Sequence, residues 1–389
     1  MLRGMNRAVA IALVCGACLG GVARAAITPD PRAQDAVGDL RVLVIRPTWG
    51  PRPVGGGDLA AATAFYSRAS FGRLRLHLDI TPWLQAYKEP VCPTASSPRS
   101  AFGAVGELAQ DAAAAAGYDL GAYGRIAYFL PDSVCSIGGL GVGREVFSAI
   151  YGGVLDDEVF VHELGHTFGL PHATSSTCAR GCRTFEYGDP LSPMGSGGLD
   201  FSALEKLKLG WISSVQQVVR SGTYPVANID EPSSSSPQAL VVPTAAGEYW
   251  VEHRVADPRR VIVRVVKPND ANHPLYLRSV FLAQPADRYV ARGVFSVTSQ
   301  FRFTWLDRKR PSMPRARALD HAWLSWGRSS DAGSGVALYR VSVDGTLLAT
   351  TTGTGTALPT LSHGGHRVTV VAVDRAGNRS RPGVVSLNV

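Results

Sequence analysis

A short continuous apolar run at 42–45, bounded by Arg41 and Arg46, has the pattern of a buried strand. Asp58 precedes an alanine-rich stretch and is placed to cap a helix running to about Arg68, with Gly72 closing the connection. Leu74, Leu76, Leu78 and Ile80 then alternate with Arg73, Arg75, His77 and Asp79. That period of two predicts a strand with one wet face, and His77 falls on it as an ordinary surface histidine. Ser100 is expected to cap a second helix, carried through the alanine run 112–116 and ended by Gly117, and 126–130 reads as another buried strand. A glycine-rich segment, 138–143, leads to a strand at 146–150. Asp156 and Asp157 then head an apolar helix, where acidic residues suit the positive end of the helix dipole.

After Trp211 the composition shifts to valine, threonine and proline in short alternating runs such as 249–255 and 261–266, interrupted by the serine-rich loop 231–238. The basic, proline-containing stretch 308–315 reads as an exposed linker crossed by few contacts, and a nucleic-acid role for it is set aside in favour of a solvated charge run. Beyond it come Trp326, Tyr339-Arg340-Val341 before Asp344-Gly345, a strand at 368–374, and Arg375-Ala376-Gly377-Asn378. These residues resemble a fibronectin type III or immunoglobulin-like sandwich, a likeness that implies a fold and no activity. The expected division is a catalytic domain at 39–212, a β-sandwich accessory domain at 213–307, the linker at 308–315 and a terminal β domain at 316–389.

The start of the chain is read as an export signal. Arg3 and Arg7 supply a basic end, 8–19 is apolar but too short to span a bilayer, and Ala23 and Ala25 frame a cleavage site before Ala26. The expectation is a secreted, extracellular protein with no transmembrane span and a short segment, 26–38, too brief for a folded prodomain. A lipid-modified Cys15 or Cys18 is the alternative. Removing the leader lowers the formal charge from +8 to +5, which says little about partners. The 389 residues are 45% hydrophobic and 18% charged, against disorder, and 42 Gly with 25 Pro argue against an all-helical fold. Cys92, Cys135, Cys178 and Cys182 remain after the leader, and in an oxidising compartment they read as two disulfides. Three pairings are open, with Cys178 to Cys182 and Cys92 to Cys135 preferred. A four-cysteine zinc site is the rival, against which the spacing and compartment both count.

The chemistry concentrates in His162-Glu163-Leu164-Gly165-His166-Thr167-Phe168-Gly169-Leu170-Pro171-His172. On a helix, His162 and His166 are one turn apart and leave the same face, so both imidazoles can hold one ion. Glu163 stands about 100° further round, beside the ion rather than on it. Gly169 permits a positive φ that turns the chain back, and Pro171 stops further helix, so His172 can complete a three-nitrogen site. Three imidazoles leave a fourth zinc position for water, with Glu163 as general base for amide hydrolysis. Chance assembly of this pattern has a probability of about 10⁻⁵ for this composition. The other histidines, His253, His273, His321, His363 and His366, share no such spacing.

The extended motif resembles that of the metzincin metallopeptidases, and Met194 in Ser192-Pro193-Met194-Gly195 looks like their Met-turn. More narrowly, the stretch from Tyr66 to Trp211 resembles the gametolysin-type peptidases. The likeness rests on Ser70-Phe71-Gly72-Arg73, residues 128–131, Cys135 before Gly138-Gly139-Leu140-Gly141, Ala173 after the histidine motif, Glu186-Tyr187-Gly188-Asp189, Met194-Gly195, Phe201-Ser202-Ala203 and Leu209-Gly210-Trp211. It implies an α+β metzincin-like catalytic domain, with a mixed sheet and an active-site helix, followed by two all-β sandwich-type domains. It also implies a secreted zinc endopeptidase that takes a protein or peptide substrate. Metzincins that place a tyrosine two residues after the methionine are not matched, since Ser196 stands there. Tyr187 is the nearer candidate for stabilising an oxyanion, with a packing role as its alternative. Two other functions share the sequence features: an extracellular binding protein that retains a metal site, and a zinc amidase acting on a non-protein polymer.

Overall fold

The computed structural model describes residues 31–50, 57–86, 98–130, 138–149, 156–178, 182–233, 235–254, 261–267, 276–278, 288–319 and 322–389. The proposed leader, its cysteines, Cys92 and Cys135 lie outside them. Within them the protein is rich in β structure, with few helices and several sheets.

The first sheet takes β1 (Gly38–Thr48), β2 (Leu74–Gln85), β3 (Arg125–Leu130), β4 (Gly139–Val142) and β5 (Glu145–Ala149) in the order β2-β1-β3-β5-β4. All neighbours are parallel except β4, which runs antiparallel to β5 at the edge. Parallel neighbours need crossovers, and α1 (Ala60–Ala69) and α2 (Pro98–Ala115) lie in the connections from β1 to β2 and from β2 to β3. Both faces of the sheet are covered, so its central strands are apolar throughout rather than alternating. Val42, Val44, Ala127, Phe129 and Val146 face a core shared with α1 and the helix carrying the histidines. Leu43, Ile45, Tyr128, Leu130 and Phe147 face Val105, Ala109 and Ala113 of α2. On β2 the alternation read from sequence holds: Leu74 and Leu76 are buried, while His77 stands exposed against Asp39.

Two helix starts differ from expectation in detail. The Asp58 carboxylate accepts from Ala60 N–H at 2.9 Å, yet Leu59, at φ 55°, is the residue at the cap position. Ser100 does not cap α2 but lies inside it, because the helix already begins at Pro98, whose missing N–H and fixed φ suit the first turn. Gly117, at φ 90°, ends that helix as expected, with Tyr118 N–H returning to Ala113 O at 3.1 Å.

Beyond the helix α3 (Asp157–Thr167) come β6 (Thr174–Cys178), β7 (Cys182–Phe185) and α4 (Ala203–Lys208). They are followed by β8 (Val215–Gln217), β9 (Gly222–Thr223), β10 (Ala239–Thr244), β11 (Gly247–His253), β12 (Val261–Val266) and β13 (Tyr276–Arg278). A seven-stranded sheet runs β7-β6-β13-β12-β11-β10-β8, taking strands from both sides of residue 212. One face meets a four-stranded sheet of 288–291, 295–298, 302–305 and β9 through Leu240, Val242, Val251, Phe295 and Phe303. The other, through Ala239, Val241 and Trp250, joins the core around the histidine helix. The β segment expected as a separate accessory domain therefore shares both sheet and core with the part that carries the histidines. In the β6–β7 ladder Cys178 stands opposite Cys182.

Residues 316–389 form a three-stranded and a four-stranded sheet around Leu324, Trp326, Tyr339, Val341, Val368 and Val370. The stretch 308–315 is only partly solvated. Its basic side chains are exposed, but Pro311 and Pro314 are buried, Ser312 N–H donates to Ser330 O and Gly327 N–H to Arg315 O. Asn378 Nδ2 reaches Asp307 O at 3.1 Å, and Ala245 N–H reaches Gly333 O at 3.1 Å, so more contacts cross this junction than its composition indicates.

Candidate active site

Helix α3 begins on Asp156, whose carboxylate accepts from Glu158 N–H at 2.9 Å and Val159 N–H at 3.0 Å. Its buried side carries Phe160 and Leu164 into the core. One turn apart on α3, His162 and His166 bring their Nε2 atoms to 3.1 Å. Gly169, at φ 87°, reverses the chain, and His172 closes the group: one ring nitrogen of each histidine lies within 4.8 Å of the others.

The opposite nitrogen of each ring is engaged. Nδ1 of His162 meets Pro193 O at 2.7 Å, that of His166 meets Leu170 O at 2.8 Å, and that of His172 meets a Glu186 carboxylate oxygen at 2.8 Å. Each acceptor requires a proton on Nδ1, so that in the neutral ring it is Nε2 that carries the lone pair. Burial favours the neutral form as well, lowering His162 and pushing His166 down to about 4 against the opposing bond to Leu170 O.

Glu163 leaves the next position round the helix and is 7% exposed. Burial pushes its carboxyl up to about 7, opposed by the Gly141 backbone N–H. That donor lies on β4, which packs directly on α3. A Cβ on Gly139 would overlap the Glu163 carboxylate, and one on Gly141 would overlap the Glu163 carbonyl oxygen. The glycines of the 138–143 segment thus let a strand pass within contact of the helix backbone. Gly141→Ala is expected to cost roughly 1–3 kcal/mol by overpacking and to lower kcat by displacing Glu163. Gly103→Ala, with open space beyond its Cβ on α2, is expected to stabilise by about 0.4–1 kcal/mol without changing kcat. Denaturant unfolding and steady-state kinetics check both.

Met194 is fully buried, its sulfur beneath Gly165, where any side chain would collide with it. Tyr187 is 48% exposed, with its ring centroid 4.2 Å from that of His172 and 5.9 Å from that of His162. Together with His162, Glu163, Pro193, Ser196 and Phe65 it lines a cavity of about 660 Å³. Sequence reasoning missed the acceptors behind the histidines: two are backbone carbonyls, which no side-chain pattern reveals, and Glu186 lies 14 residues from His172 with no periodicity linking them. A second convergent group, Asp307, Asp331 and Asp374, lies apart from the histidines, and backbone amides and Asn378 engage its oxygens.

Three imidazoles facing one point beside a buried carboxylate form a site built to hold a cation next to a proton acceptor. Residues 45–254, more than half of the chain, match the sequence model of the family described as gametolysin peptidase M11, and the protein belongs to that family of metallopeptidases. No curated protein matches the chain. Among solved structures, wild-type OgpA from Akkermansia muciniphila is 11% identical, with 93% of this chain and 97% of that one covered, at a TM-score of 0.22. The spore cortex lytic enzyme SleM of Clostridium perfringens is 14% identical over 24% of this chain, at a TM-score of 0.19, and the match spans 34% of that enzyme's length. The fibronectin(III)-like modules of Clostridium thermocellum CbhA are 16% identical over 21% of this chain, at a TM-score of 0.15. Likenesses at this level carry no conclusion about activity.

Proposed function

We propose that the protein is a secreted, zinc-dependent endopeptidase of metzincin type, with His162, His166 and His172 as zinc ligands and Glu163 as general base. The observation that carries this reading is the set of three Nε2 atoms, each freed by an Nδ1 acceptor, next to a carboxyl group that is buried yet touches none of those acceptors. Three neutral imidazoles suit zinc in number and type. When bound, zinc supplies Lewis acidity and acidifies water.

The protein's own residues do the rest. Glu163 accepts a proton from the attacking water and returns it to the leaving amine, the two halves of general acid–base catalysis. The outer edge of β4 has no partner strand among the described residues, so an extended peptide can pair with it along the cavity, as in strand addition. Tyr187, whose ring lies beside that of His172, is the candidate for stabilising the developing oxyanion. The apolar leader supports export, and the opposition of Cys178 and Cys182 in the β6–β7 ladder supports their pairing, with Cys92 and Cys135 as the second pair. The three- and four-stranded sheets at 316–389 support the fibronectin type III reading. Among the described residues no helix is long and apolar enough to cross a membrane.

Incubation of the zinc-loaded full chain with a complex peptide library tests the reaction class. Cleavage at internal bonds is expected. Release of terminal residues alone, or no cleavage, would contradict an endopeptidase.

A further inference from the structure

We infer that Arg264, on β12 and far outside the histidine motif, is a positioning residue that holds two of the three metal-binding histidines through Asp189. Arg264 is fully buried, and its Nε donates to Asp189 Oδ2 at 3.2 Å while Nη1 donates to Glu252 of β11. Asp189, also fully buried, has two connections to the site. Its backbone N–H donates to Ala173 O at 3.1 Å, next to His172, and Ala173 N–H in turn donates to Met194 O at 2.7 Å. Its other carboxylate oxygen accepts from Leu191 N–H at 2.9 Å and Ser192 N–H at 3.2 Å, fixing the residue before Pro193.

Ser192 is held a second time. Its hydroxyl donates to the Glu205 carboxylate at 2.9 Å and accepts from Met194 N–H at 3.1 Å. Pro193, which has no N–H of its own, is therefore placed by anchors on both sides. Its carbonyl is the group that accepts from His162 Nδ1 at 2.7 Å. Orientation of a ligand imidazole depends on such a partner, and losing the partner typically weakens metal affinity 10–100-fold.

The arginine's fork is what allows one side chain to hold Asp189 and Glu252 together, and a lysine cannot reproduce it. Arg254 provides the comparison. It is equally buried and lies 3.5 Å from the same Glu252, but its strong contacts go to Asp230 and Phe201 O rather than to the Met194 turn.

The inference rests on the zinc reading above. The test is zinc affinity of the full chain, measured by chelator competition, for wild type, Arg264→Lys, Arg254→Lys and Ser192→Ala. Arg264→Lys and Ser192→Ala are expected to bind zinc 10–100-fold more weakly. At saturating zinc they should show reduced kcat with KM within about twofold, the pattern of a misplaced reacting group. Arg254→Lys should keep zinc affinity within about twofold even where its unfolding midpoint falls. Equal loss of affinity in the two arginine variants, or an unchanged affinity in Ser192→Ala, would overturn the relay. Wild-type protein without zinc affinity would instead remove the reading on which it rests.

Discussion

Glu163→Ala is expected to retain zinc and fold while losing peptide turnover by roughly 10²–10⁴-fold. The side chain touches no ligand nitrogen and accepts from the Gly141 backbone N–H, so its removal leaves the histidines and their Nδ1 acceptors untouched. What disappears is the proposed carrier of the proton from water to the leaving amine. Zinc analysis and single-turnover kinetics on the same sample separate the two effects. A variant that keeps near-normal turnover would move the base elsewhere. Tyr187→Phe should cost less, since its ring packing against His172 survives the change. A loss as large as that of Glu163→Ala would make Tyr187 a catalytic residue.

The second large effect concerns where the chain can be cut. Ending the protein after Ile212 is expected to abolish its cooperative fold and all turnover. Trp250, Ala239, Val241 and Ile229 lie in the same core as Phe160, Leu164 and Met194. The cut also strips Asp189 of Arg264, and a buried carboxylate left without its partner costs about 3–5 kcal/mol. Ending it near Arg310 is expected to spare hydrolysis of a short peptide, because the histidines, Glu163 and their supports all precede that point. The bonds that Asp307 and Ala245 make with the terminal module involve none of the groups that hold the histidines or Glu163. Circular dichroism and turnover of both truncations give the answer. A folded, active chain ending at 212 would show that the shared core is dispensable. Loss of short-peptide turnover in a folded chain ending near 310 would give the terminal module a part in the site.

The residues nearest the chemistry were readable because their spacing is local. Histidines four apart on a helix must share a face, and Gly169 with Pro171 must turn the chain, whatever surrounds them. The strands around them were readable for the same reason: Val42 and Val44 point one way and Leu43 and Ile45 the other, as a period of two requires. What the pattern hid was long-range. β6 reads Thr-Ser-Ser-Thr-Cys and β13 Tyr-Leu-Arg, too polar or too short to announce a parallel pairing across a hundred residues of sequence. Lys206, Arg254 and Arg264 look like surface charges, since such residues are seldom buried unless paired. Their burial follows from carboxylates that no periodicity announces: Asp200 six residues before Lys206, Asp230 beside Arg254, and Glu252 and Asp189 beside Arg264. Ser100 failed as a cap because Pro98 competes for the same helix start.

The central claim is that one zinc held by His162, His166 and His172 is required for peptide hydrolysis, and it is tested most directly by metal analysis of the full chain coupled to turnover before and after chelation. One zinc per chain is expected, with turnover lost on chelation and restored by a single equivalent, and with His166→Ala neither retaining zinc nor regaining activity. A zinc-free chain that hydrolyses peptides at the same rate, or an unchanged zinc content in His166→Ala, would contradict it.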